Sequence, residues 1–169
     1  LEEGTCRRSV QVLRMATGVR WQLTDGRGYL FAAEISQVHK RSTARKILSV
    51  LYYPQTTLKI VIAISLLKNT TRFEWFLEKA TEIGVNEIIP LICERTEKHH
   101  FRIDRMRGIL VSAMLQSQQA WLPKLSEPVP FSVKVPLFDF QQKFIAYCVE
   151  DSRRTISDVS DKDNDTLML

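Results

Sequence analysis

The stretch LKIVIAISLLKNTTRFEWFLEKATEIGVNEIIPLICER, residues 58–95, confines the chain to a narrow set of folds. Its first part, 58–66, is an almost unbroken run of aliphatic and β-branched residues, as expected of a strand covered on both faces. Thr71 followed by Glu74 has the form of a capping box and predicts a helix start. Phe73, Phe76, Leu77, Ala80 and Ile83 then recur at helical spacing, so one stripe faces a sheet while Glu74, Glu78, Lys79 and Glu82 lie largely off it. Gly84 supplies the left-handed residue that ends a helix. A second apolar strand, EIIPLIC (87–93), follows at once. Strand, helix and strand in that order make the βαβ unit of an open parallel sheet.

The junction of the first strand with the helix places Lys68 and Arg72 at the carboxyl edge of that sheet, where open α/β folds bind ligands. Positive side chains there oppose the helix dipole, which favours anions at the amino end. A phosphate partner is one reading; a pair of solvated charges flanking a helix is the other.

Charge placement separates these readings further. Residues 1–55 hold nine Lys or Arg against four acids, while residues 56–169 hold fifteen of each sign, so the whole formal excess of +5 falls in the first third. That is the footprint of a module that meets a phosphate backbone, set against a basic face with no partner. Cys6, Cys93 and Cys148 are widely spaced without a CxxC pair, and His99 and His100 are adjacent. No metal site or disulfide framework is therefore expected. No apolar run approaches a membrane span and no signal-like segment occurs, which predicts a cytoplasmic protein. The chain starts at Leu1 rather than at methionine, and residues are expected before it.

Along the front third, residues 5–17 have helical spacing and end at Gly18. VRWQLTD (19–25) alternates as a half-buried strand, and DGRG (25–28) is a tight turn leading to YLFAAEISQV (29–38). A basic loop (39–46) and a further strand (47–53) follow. Short antiparallel strands suit a small barrel, whose pattern ends at Pro54 and Gln55. Further on, Ile103, Met106, Leu110, Ala113, Met114 and Ser117 mark the inner face of a second helix, ended by Pro123. SEPVPFSVKVP (126–136) reads as a linker, KFIAYCVED (143–151) as a third buried strand, residues 152–165 as a flexible loop, and TLML (166–169) as the start of another strand.

KNTTR (68–72), FLEKATEIGV (76–85), IIPLICER (88–95) and SAMLQSQQAWLPKL (112–125) resemble the RsmE family of 16S ribosomal RNA (uracil-N3) methyltransferases. The resemblance implies an α/β chain, α+β overall, with a PUA-like RNA-binding β-barrel over residues 1–55. The N-terminal part of a SPOUT methyltransferase domain, an α/β fold with a deep trefoil knot, would then cover 56–169. It implies S-adenosylmethionine as methyl donor, no metal, a homodimer, and 16S ribosomal RNA or the small ribosomal subunit as partner. On that reading Lys68 and Arg72 are the catalytic cations that support the substrate. RNA-binding falls to Arg7, Arg8, Arg14, Arg27, Lys40 and Arg41 in the front module and to Arg95, Lys98, Arg102 and Gln116 beyond it.

Glu150 and Asp151 would border the donor pocket. The family's glycine-rich GPEGG-type loop, after the strand beginning at Thr166, is absent. The six glycines stand at 4, 18, 26, 28, 84 and 108 and form no cofactor loop. The chain is thus expected to be truncated at both ends, to bind the donor poorly and to be inactive by itself. Arg8 replaces a common histidine, Val19 a frequent aspartate, and Gln119 a frequent basic residue. These departures leave an alternative, a non-catalytic RNA-binding protein that kept the barrel and half the sheet.

Overall fold

The computed structural model describes residues 16–38, 43–97, 100–146 and 154–169. The chain divides into two compact units, Leu1–Pro54 and Gln55–Leu169.

In the first unit β1 (Arg20–Thr24), β2 (Tyr29–Val38) and β3 (Thr43–Tyr52) pair antiparallel in the order β1-β2-β3. Asp25 builds the first turn: its carboxylate accepts from the amides of Arg27 at 2.7 Å and Tyr29 at 3.2 Å. Gly26 and Gly28 complete it at φ 70° and 95°, where a side chain would be strained. Two expectations need correction. The described residues form an open sheet and no closed barrel, with β3 at its edge. Residues 43–46, expected in a loop, belong to β3, where Lys46 faces Glu34 and Arg45 faces Ile35 in register. The helix expected over 5–17 lies outside the described residues except at its end.

The second unit is built on a parallel sheet. β4 (Ile60–Ser65) pairs with β5 (Glu87–Ile92) on one side and with β9 (Thr166–Met168) on the other, and β8 (Gln142–Phe144) joins β9. β6 (Lys124–Leu125) and β7 (Val129–Pro130) are two short lengths of one interrupted edge along β5. The interruption lies beside Pro90, which has no amide to give a neighbour. Crossover helices α1 (Thr70–Glu82) and α2 (Ile103–Gln116) connect β4 to β5 and β5 to β6.

Strand alternation sorts the apolar residues into two layers. Ile62, Ile64 and Ile88 pack with Phe73, Leu77, Ala80, Met106 and Leu110 of the helices. Val61, Ala63, Ile89 and Leu91 point the other way with Leu167 of β9 and are covered by Phe138 and Phe140. Each fully buried aliphatic side chain adds about 1.5–3 kcal/mol to this sandwich.

The ends of the elements depart from expectation in informative ways. Asn69, not Thr71, caps α1; its side-chain oxygen accepts from the amides of Thr71 at 2.9 Å and Arg72 at 3.4 Å. Thr71 lies inside the helix rather than at its cap, and Glu74 receives a two-pronged bond from Arg105, at 2.6 and 3.0 Å. Ile83 is 76% exposed rather than on the buried stripe. The helix has ended there: Gly84 sits at φ 84°, and the amide of Val85 returns to the carbonyl of Ala80.

α2 stops at Gln116, before Pro123 could act, with Gln118 in the left-handed region at φ 57°. The expected linker carries β7 and a short helix, α3 (Phe131–Lys134). Of the strand expected over 143–151, only β8 forms among the described residues, and Ile145 just beyond it is 67% exposed. The described part of the expected flexible loop holds α4 (Ile156–Val159) and a turn fixed by Gln142. The amide of that side chain donates to the carbonyls of Asp161 at 2.6 Å and Asn164 at 2.9 Å.

Candidate functional site

From β4 the chain adds β5 and β6 on one side, whereas β9 lies on the other. Such a reversal of strand order opens a crevice at the carboxyl ends of the strands, the usual ligand position in sheets of this kind. Four candidate cations converge on this edge. Lys68 lies in the β4–α1 connection, Arg72 in the first turn of α1, Arg95 just after β5, and Arg102 just before α2; all four are exposed. They fall together because strand ends and helix starts alternate at one rim of a βαβαβ run.

The first turn of α1 contains no acidic residue, so its dipole and remaining amides favour an anion there. Among the described residues the Arg72 guanidinium enters no ion pair. Lys68 does: its Nζ lies 2.7 Å from Glu97 Oε2. The turn after β5 that presents Glu97 is locked by Thr96, which is 8% exposed. Thr96 Oγ1 accepts from the amide of Cys93 at 2.8 Å and shares a hydrogen bond with Ser65 Oγ at 3.2 Å. The amide of Thr96 returns to the carbonyl of Cys93 at 3.0 Å.

The other predicted residues are placed differently. Gln116 lies at the far end of α2, in an outer groove of about 310 Å³ between α1 and α2 that Glu74, Glu78, Arg105 and Ser112 also line. Its neighbour Ser117 spends its hydroxyl on the carbonyl of Ala113 at 2.8 Å. Gln119 donates to the carbonyl of Glu82 at 3.1 Å and ties the ends of the two helices together. Arg27 is exposed in the β1–β2 turn of the first unit. Arg7, Arg8, Arg14, Lys40, Arg41, Lys98, Glu150 and Asp151 lie outside the described residues. The sequence alone did not single out Glu97, Ser65 or Thr96. The available signal was their position, each polar side chain lying at or just beyond the last apolar positions of a strand.

The opposite rim holds a different polar group. Glu87 is 8% exposed and receives Lys59 and Lys124, each at 3.0 Å, and Ser126 at 3.3 Å. Burial pushes its carboxyl up, but the hydrogen bonds from Lys124 and Lys59 together outweigh that and hold it below the usual glutamate range. Among the described residues no group of three or more His, Cys, Asp or Glu side chains could hold a metal ion. No helix among them is long and apolar enough to cross a membrane.

Residues 54–169 match the RNA methyltransferase domain family. The chain is 29% identical over 123 residues to ribosomal RNA small subunit methyltransferase E of Synechocystis sp., covering 72% of this chain but 40% of that protein. It thus spans well under half the length of that relative. A probable rRNA-methyltransferase of Porphyromonas gingivalis superposes with a TM-score of 0.89 at 31% identity, over 99% of this chain and 72% of that one. A Legionella pneumophila protein assigned as a methyltransferase, solved with the bound cofactor SAM, superposes with a TM-score of 0.83 at 27% identity, over 99% and 71% of the two chains.

Proposed function

This chain belongs to the RNA methyltransferase domain family, and from that premise we propose that its protein methylates N3 of a uracil in 16S ribosomal RNA. The family match across the whole parallel-sheet unit carries the reading. The relatives named above are methyltransferases, so nothing favours the purely RNA-binding alternative. In this reading the first unit is a PUA-like module whose cations grip the RNA, and the protein acts as a cytoplasmic homodimer.

N3 lies on the Watson-Crick edge, so the target base must be unpaired or turned out of its stack. Exposed Arg95 and Arg102 suit phosphates flanking it, since such contacts position a strand without reading its bases. Passing the N3 proton to water leaves negative charge on O2 and O4. Lys68 and Arg72, beside the amino end of α1, stabilise that charge as it develops.

S-adenosylmethionine, when bound, supplies the methyl group from its sulfonium. At the carboxyl edge the described residues offer only the ends of β8 and β9. Ala146, just after β8, donates its amide to the carbonyl of Leu169 at 3.0 Å, and Ile145 beside it stands exposed. Neither Gly84 nor Gly108, the two glycines of this unit, lies there. That is a border and not a cradle, so the steps assigned to this chain are those of its own cations.

The test is nucleoside mass spectrometry of small-subunit ribosomal RNA treated with the full-length protein and S-adenosylmethionine. 3-Methyluridine is the expected product; a methyl group on any other atom overturns the assignment. Lys68→Ala and Arg72→Ala in the same protein should each slow the reaction by at least about tenfold, and unchanged rates would remove them from the site.

A further inference from the structure

The pairing of Lys68 with Glu97 bears on what this edge will accept. Both side chains are open to water, at 80% and 65% exposure, yet they meet at 2.7 Å. The contact is prepared from both sides. Glu97 follows directly on the turn that Thr96 fastens to Cys93 and Ser65, and Lys68 directly precedes the Asn69 cap of α1. A buried hydroxyl and a helix cap therefore hold the backbones of the two charges opposite each other beyond the carboxyl ends of β4 and β5.

We infer that Glu97 sets the threshold for anion binding at this site: a resident counter-ion that occupies Lys68 until a polyanionic strand displaces it. The inference rests on the assignment of Lys68 to the RNA site. An exposed ion pair is weak enough to be exchanged. A single phosphate must break it with one contact. An RNA strand meets the same cost once, against contacts from several phosphates, each of which also releases counterions. Glu97 thereby lowers the affinity for every anion that uses Lys68, and only a ligand with several phosphates has contacts to spare against that cost.

The experiment measures binding of single-stranded oligouridylate and of uridine monophosphate to the full-length protein over a range of salt. Lys68→Ala should weaken oligouridylate and lower the logarithmic salt slope by about 0.7. Glu97→Gln should tighten both probes, by about two- to fivefold each. In the Lys68→Ala background the Glu97→Gln gain should vanish. Unchanged thermal midpoints confirm that these surface variants fold.

A silent Lys68→Ala overturns the assignment of Lys68 to the RNA site and this inference with it. If Lys68→Ala weakens binding but Glu97→Gln changes nothing, the inference alone falls. It falls equally if Glu97→Gln helps as much without Lys68, because Glu97 would then act by general repulsion only.

Discussion

Glu87 shows how one side chain ties three strands at the rim away from the candidate site. It receives Lys59, from just before β4, and Lys124, from β6. Its folded carboxyl titrates below the unfolded one. The stabilisation is therefore complete above the unfolded value, about 4.3, and is lost as pH falls through the lower folded value. Acid titration of stability should show a drop in that window that Glu87→Gln removes, the variant being less stable than the parent at neutral pH. A variant with the same acid limb would assign that drop to other carboxylates. At this scale the sequence was legible where a residue's position along the chain decides its place: Lys68 and Arg72 follow an apolar run and lie at the strand edge. It was illegible where partners are far apart in sequence. Nothing local marks Glu97 as the partner of Lys68, or Glu87 as that of Lys59 and Lys124.

Elements were easier to read in their middles than at their ends. Apolar periodicity fixed β4, α1, β5 and α2, because burying those stripes dominates every local preference. The cap of α1 was misread because Asn69 and Thr71 both offer a capping oxygen, and it is Asn69 that reaches the amides of Thr71 and Arg72. Asn69→Ala should cost about 1 kcal/mol of stability in denaturant unfolding, and Thr71→Ala much less. The reverse order would restore the capping box. The apolar run after Gln142 misled for a different reason. Among the described residues β8 pairs only with β9 and lies at the sheet margin, so Ile145 is left uncovered and periodicity over-extends the strand.

The two units differ in how they finish their sheets. In the second, β5 is flanked by the broken β6–β7 edge, where Pro128 and Pro130 limit further pairing. In the first, β3 ends the described sheet as a ten-residue strand. Ile47, Leu48, Val50, Leu51 and Tyr52 along it are 41–57% exposed, so apolar side chains emerge on both of its faces. The barrel expected from composition and alternation needed this strand to close on something, and alternation along one strand cannot say what. A chain of this length purified alone should therefore stick to itself. Light scattering should rise with concentration, and Val50→Lys, which sets a charge in the middle of the ladder, should suppress it. If scattering stays flat in both proteins, β3 is harmless. If it rises and responds to the lysine, solubility, and with it every measurement made on this polypeptide in isolation, is governed by one rim of its smaller sheet.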